Sequence, residues 1–295
     1  MYFCTSIFHS SAMPNNRSKH TTAPRQATAI AVMFFLLTSV AFGQNMPDTS
    51  LFEAHIHYTQ TDTLPYRIYC SERAKAADLD RAIPAHGQPL VVFLHGAGER
   101  GNNNIDQLRL GVRFFLNDSV TDRYSFILLA PQCPLNKRWV NTDWTLPSHT
   151  MDAEPTAEMK GVFWLIDSLV YTGSVDKNRI YICGISMGGF GVWDALSRRP
   201  ETFAAAIAIC GGGDTKQARR LKTIPIWAFH GKKDKLVQYK RSNDMYGSVK
   251  RAGGKNIILT SYANTGHGCW DKAMSTPGLF NWLFSKQNNG KTKTK

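Results

Sequence analysis

Residues 179–193, Arg-Ile-Tyr-Ile-Cys-Gly-Ile-Ser-Met-Gly-Gly-Phe-Gly-Val-Trp, constrain the fold more than any other part of this chain. An apolar run, Ile180 to Cys183, leads straight into Gly184-Ile185-Ser186-Met187-Gly188, and residues compatible with a helix follow. A serine at such a strand-to-helix junction is held on a sharp, strained turn. The positions two residues to either side are too crowded for a side chain, so glycine stands at 184 and 188. The first N–H groups of the following helix face the serine and favour negative charge beside it. The motif demands a strand before Ser186 and a helix after it, and it marks that hydroxyl as a nucleophile.

The rest of the chain supplies the setting. Short apolar runs recur at Leu90–Leu94, Phe126–Ala130, Ile180–Cys183, Phe203–Ile209, Ile226–Phe229 and Ile257–Leu259. Runs that are apolar on both faces belong to strands covered on both sides, as in parallel sheets. Helical spacing appears over Thr156–Tyr171, Gly188–Arg199, Tyr239–Arg251 and Trp270–Phe284, with Gly173 stopping the first. The expected fold is a doubly wound, mostly parallel α/β sheet with helices on both faces. Ala54–Cys70 reads as an antiparallel edge hairpin turning near Leu64-Pro65. His55 and His57 share one strand face there, but no third metal ligand lies nearby, and they read as surface histidines.

The N-terminus has a different character. Arg17, Lys19 and Arg25 precede an apolar heart, Ala29–Leu37, and Ala41-Phe42-Gly43 offers the small-x-small step of a cleavage site. Residues 1–43 are expected to be a signal peptide with an N-terminal extension, too short in its apolar part to anchor the chain stably in a bilayer. Residues 44–285 then form one catalytic domain, and 286–295 a polar tail carrying Lys286, Lys291, Lys293 and Lys295. The formal charge of +13 is concentrated at these two ends. The body is only modestly basic, and no nucleic-acid partner is expected. Cys70, Cys133, Cys183, Cys210 and Cys269 follow the leader. Their odd number and irregular spacing indicate neither a disulfide framework nor a zinc site, although one bridge, for example at Cys269, fits an oxidising compartment.

A serine nucleophile on this architecture needs three partners, with the chain order serine, acid, histidine. His267, in the glycine-flanked loop Asn264–Trp270, stands where the base is required, whereas His230 closes an apolar run and reads as structural. Asp234, four residues after His230, is the expected acid; Asp214 is its serious rival, with Asp244 on a helix and Asp271 beyond the histidine. The oxyanion site is expected after the Leu90–Leu94 strand, in His95-Gly96-Ala97-Gly98. There the N–H of Ala97, with Gly98 second, would act together with the N–H of Met187. His95 reads as a residue that packs or hydrogen-bonds to hold that loop.

Taken together, Leu94–Gly101, Ala130–Pro134, Gly184–Gly188, His230–Asp234 and Gly266–Trp270 resemble the carboxylesterase branch of the α/β hydrolases, which includes feruloyl esterases, polyhydroxybutyrate depolymerases and predicted secreted peptidases. The resemblance spans about residues 50 to 285. It implies an exported serine hydrolase that cleaves carboxylic esters through an acyl-enzyme, acting on small-molecule or polymer-attached esters, with no metal and no organic cofactor. A peptidase of the same fold and a non-catalytic carbohydrate-binding relative are the alternatives. Only residues 210–225 are available where many such hydrolases insert a lid, so no large lid domain is expected. The irregular segment Pro131–Pro155 carries Trp139 and Trp144, and with Trp270 these are the candidate substrate-stacking residues; a loop anchored by its own aromatics is the alternative for Trp139 and Trp144.

Overall fold

The computed structural model describes residues 46–59, 63–74 and 87–288. The expected signal peptide and most of the basic tail lie outside these residues. Eight strands form one sheet: β1 Glu53–Tyr58, β2 Thr63–Cys70, β3 Gln88–Leu94, β4 Ile127–Pro131, β5 Val175–Ile185, β6 Ala205–Ile209, β7 Ile226–Gly231 and β8 Ile257–Tyr262. Their order is β1-β2-β4-β3-β5-β6-β7-β8. β1 and β2 pair antiparallel, as do β2 and β4, and every pairing from β4 through β8 is parallel. The helices include α1 Asp118–Thr121, α2 Ala157–Tyr171, α3 Met187–Arg198, α4 Lys240–Arg251, α5 Trp270–Met274 and α6 Leu279–Phe284.

The apolar runs explain this layering. β3, β4 and β6 are buried at every position, so both of their faces need cover. On one face Val91, Phe93, Tyr181, Cys183, Ile207 and Ile209 pack into a cluster with Val112, Phe115, Met274, Leu279 and Leu283, which lie on the short turns after β3 and on α5 and α6. On the other face Leu94 meets α3 at Gly191, where any side chain would collide with it and with Trp139.

Two sequence expectations need correction. The stretch Trp270–Phe284 is not one helix: it breaks into α5 and α6, because Pro277 lacks an N–H and Gly278 takes the left-handed conformation at φ 77°. The hairpin does not turn at Leu64-Pro65, since both residues lie inside β2, paired with His57 and Ile56. Pro65 is tolerated there because it contributes only its carbonyl, which accepts from the Gln132 N–H at 2.7 Å.

Candidate active site

Ser186 sits between the last residue of β5 and the first of α3, with φ 53° and ψ −117°. This is a conformation that costs a non-glycine residue about 1–3 kcal/mol. The surrounding backbone imposes it: the Ser186 N–H donates to the Ile209 carbonyl in β6 at 2.8 Å, and its carbonyl accepts from the Phe190 N–H at 3.1 Å. The flanking glycines are needed for space. A Cβ on Gly188 would run into the Leu94 carbonyl, and one on Gly184 into the Gly188 carbonyl. Ser186 is half-buried while the residues on both sides of it are buried, so its hydroxyl is the part of the turn that faces outward.

Three side chains from separate loops meet there. His267 Nε2 lies 2.8 Å from Ser186 Oγ, and His267 Nδ1 lies 2.7 Å from Asp234 Oδ2. With the proton on Nδ1 donated to the carboxylate, Nε2 is left to accept the serine proton, the tautomer a general base requires. The Asp234 side chain is fully buried and that of His267 is 17% exposed. Burial alone would raise the Asp234 carboxyl. Hydrogen bonds from His230 and His267, the charge on His267 and the Val237 N–H outweigh it and hold the group well below the usual carboxylate range.

The other oxygen of Asp234 is committed to its own turn, accepting from the N–H groups of Leu236 and Val237 at 2.9 Å each. Oδ2 is shared between two imidazoles, because His230 Nε2 approaches it at 3.1 Å and also bonds the Val237 carbonyl. His230 Nδ1 meets Ser242 Oγ at 2.7 Å. His230 is thus structural, and its particular task is to pin the acid from behind, which sequence spacing does not signal. The rivals for the acid are placed elsewhere. Asp214 caps the turn Thr215–Leu221 and accepts from the Met151 N–H, Asp244 pairs with Lys240, and Asp271 pairs with Arg113.

The loop after β3 faces the serine. A Cβ built on Gly96 would lie 3.6 Å from Ser186 Cβ. Ala97 follows, half-buried at the start of a short 3-10 turn, and Met187 opens α3, where the first N–H groups lack intrahelical acceptors. His95 holds this loop from beneath: the Cys133 N–H donates to its Nε2 at 2.9 Å, which leaves Nδ1–H to donate to the Gly96 carbonyl at 2.6 Å. Burial of this neutral ring pushes its pKa down to about 4. Two groups beside it fall within the motifs Leu94–Gly101 and Ala130–Pro134, although spacing alone gives neither a role. Glu99 is buried against Gly96 with its carboxyl raised by burial, and fully buried Gln132 ties Glu99 to Asn103 and Asn104.

Trp139 is not a substrate-stacking residue. It is fully buried and donates from Nε1 to the His95 carbonyl at 3.1 Å, with its ring edge-on to the imidazole. It is a wedge between the His95–Gly96 loop and α3 and offers no face to a substrate.

His95 also gives a pH prediction. Its folded pKa of about 4 lies below the ordinary histidine value of 6.5, so between these values the unfolded chain takes up a proton that the folded chain refuses. Stability is complete above pH 6.5, falls as pH drops toward 4, and levels off below. The loss is on the order of 3 kcal/mol from this ring alone. Urea unfolding at pH 7 and pH 4.5 should show a smaller difference in His95→Gln than in the parent. His149, likewise lowered to about 4 by burial, keeps its own share in both.

With this geometry established, comparison with known proteins is decisive at family level. Residues 83–277 match the family model described as phospholipase/carboxylesterase. The chain belongs to the phospholipase/carboxylesterase family. It has the α/β-hydrolase fold. A solved structure of a thermostable esterase is 33% identical and superposes with a TM-score of 0.72, covering 81% of this chain and 64% of that one. A bifunctional acetylxylan esterase/xylanase of Neocallimastix patriciarum is 23% identical over 59% of this chain and 24% of its own length. An acyl-protein thioesterase 1 homologue of Dictyostelium discoideum is 27% identical over 60% of this chain and 84% of its own. The chain thus spans about a quarter of the first of these two relatives and under two thirds of the thermostable esterase.

Around the Ser186–His267–Asp234 cluster of this member of the phospholipase/carboxylesterase family, the remaining candidates differ. Trp144 is half-buried with the Arg138 guanidinium 4.5 Å from its ring centre. Its segment is tied to the acid's neighbourhood, since Gln238 Nε2 donates to the Thr145 carbonyl and Arg241 to that of Leu146. Trp270 stands edge-on to His267 at 5.9 Å and is partly packed into the core cluster. His55 and His57 do share a face, but their rings stack on Tyr66 and Trp164. The atoms with metal-donor chemistry that converge among the described residues are instead those of Cys210, His230 and Asp234, within 4.8 Å of one another. In that group His230 Nε2 and both Asp234 oxygens are already engaged by protein hydrogen bonds.

Proposed function

We propose that this carboxylesterase is exported and cleaves carboxylic esters of acetyl or feruloyl type, small or attached to a polymer, through an acyl-enzyme on Ser186. The observation that carries the reading is the continuous hydrogen-bonded line Ser186–His267–Asp234 beside the Gly96 loop. In this reading Ser186 Oγ attacks the ester carbonyl as His267 takes its proton, and the N–H groups of Ala97 and Met187 receive the oxyanion. His267 returns the proton to the leaving alcohol, and water releases the acyl group by the reverse sequence. Asp234 stays ionised throughout and steadies the imidazolium.

Three features favour a bulky or polymer-borne substrate. Ser186 opens to solvent, the segment between β6 and β7 holds only the short turn Thr215–Leu221, and Trp144 with exposed Leu146 and Leu236 offers an apolar rim. The acetylxylan esterase relative points the same way. Export rests on residues 1–43 acting as a cleaved leader before a 44–285 catalytic domain, and N-terminal sequencing of protein recovered outside the cytoplasm, with Gln44 first, tests it.

The substrate class is tested by comparing kcat/KM across acetyl, feruloyl, hydroxybutyryl and p-nitrophenyl esters and matched peptide amides. Esters are expected to lead amides throughout; preference for the amides would replace the esterase reading with a peptidase. Trp144→Ala should raise KM for feruloyl esters several-fold and leave acetyl esters unchanged, the worth of one aromatic contact at about 1 kcal/mol. KM values for feruloyl and acetyl esters that both stay at the parental level in this variant would remove Trp144 from the binding surface.

A further inference from the structure

Beneath the catalytic histidine lie two cysteines that the ester reaction does not use. Cys210 follows the last residue of β6 at φ 50°, and its N–H donates to the Phe229 carbonyl at 2.9 Å. Cys269 lies two residues after His267 and directly precedes α5. Both are fully buried. Their sulfurs are 2.9 Å apart although the residues are 59 positions apart in the chain. This is closer than two unbonded sulfurs rest. The same two residues grip the His267 carbonyl, with Cys210 Sγ at 3.1 Å and the Cys269 N–H at 2.8 Å.

We propose that Cys210 and Cys269 are the site of a disulfide that ties the His267 loop to the end of β6, formed by exchange with a disulfide oxidant. One cysteine thiolate attacks a sulfur of the oxidant and releases a thiolate; the second attacks the mixed disulfide and releases another. Two S–H bonds are lost and one S–S bond forms, the oxidant's S–S bond is reduced, and its two leaving sulfurs carry the two protons. The neighbouring thiol and burial hold the Cys210 thiol well above its usual range in the closed fold. Exchange therefore belongs to folding, before the loop closes, and the finished bridge is sheltered from reductants. Once made, it fixes the backbone on which the imidazole depends for its 2.8 Å approach to Ser186. Cys133 and Cys183, also buried, stand elsewhere in the sheet and its loops.

The test is a mass measurement, independent of any substrate. The full chain is unfolded, refolded with reduced and oxidised glutathione, alkylated in denaturant without reduction and digested with trypsin. A linked peptide pair containing Cys210 and Cys269 is expected, disappearing on reduction. Cys210→Ser, Cys269→Ser and the double variant should each lower Tm by the same amount, on the order of 10 °C for a loop this long. Where a serine variant does not fold, the peptide map of the parent decides alone. Alkyl groups on both cysteines of the refolded protein, or a bridge from either one to Cys133 or Cys183, would overturn the proposal.

Discussion

Ser186→Ala is expected to reduce kcat toward short aryl esters by about 10⁶-fold, the scale at which a triad acts as a unit. The reason is geometric. The strained turn presents one hydroxyl to His267, and no second hydroxyl bonds that imidazole in the described structure. Alanine keeps the backbone, the Ile209 hydrogen bond and the helix start, so far-UV circular dichroism and Tm should stay at parental values. A variant that folds normally and keeps more than a few per cent of parental kcat would remove Ser186 from its role.

The second large effect separates the two aspartates. Asp234→Asn should lower kcat by about 10⁴-fold, because an amide facing Nδ1 forces the wrong imidazole tautomer. The turn leaves asparagine no comfortable alternative. Its oxygen is needed by the Leu236 and Val237 N–H groups, which turns its NH₂ toward His267 and His230, where the carboxylate had accepted. Asp214→Asn should stay within a few-fold of parent, since that side chain caps a turn and accepts from Met151. Steady-state kinetics on the two purified variants decide. The opposite ranking would move the acid from β7 to the end of β6.

Much of this was legible in the sequence because the features are local. The strand, the Gly184–Gly188 turn and the helix after it are fixed by steric demands within a few residues, and runs such as Leu90–Leu94 need cover on both faces wherever they lie. What was not legible depends on contacts distant in sequence. Trp139 reads from its loop either as a stacking face or as an anchor, and the choice falls to the space between His95 and Gly191 that takes it in, which nothing near residue 139 announces. His230 reads correctly as structural at a strand end, while its hold on Asp234 follows from the turn that folds the chain back over four residues. The break between α5 and α6 was written in Pro277 and Gly278, but apolar periodicity on either side masked it. The meeting of Cys210 with Cys269 requires β6 and the histidine loop to be adjacent, which only the strand order establishes.

The proposed reaction requires an acyl group to reside on Ser186 during turnover. Rapid mixing with p-nitrophenyl acetate, acid quenching within the first turnover and peptide mapping should find one acetyl group on the peptide containing Ser186. The adduct should be absent from His267→Ala quenched at the same time. An acetylated site elsewhere, or hydrolysis at full rate with no acetyl group on that peptide, would contradict it.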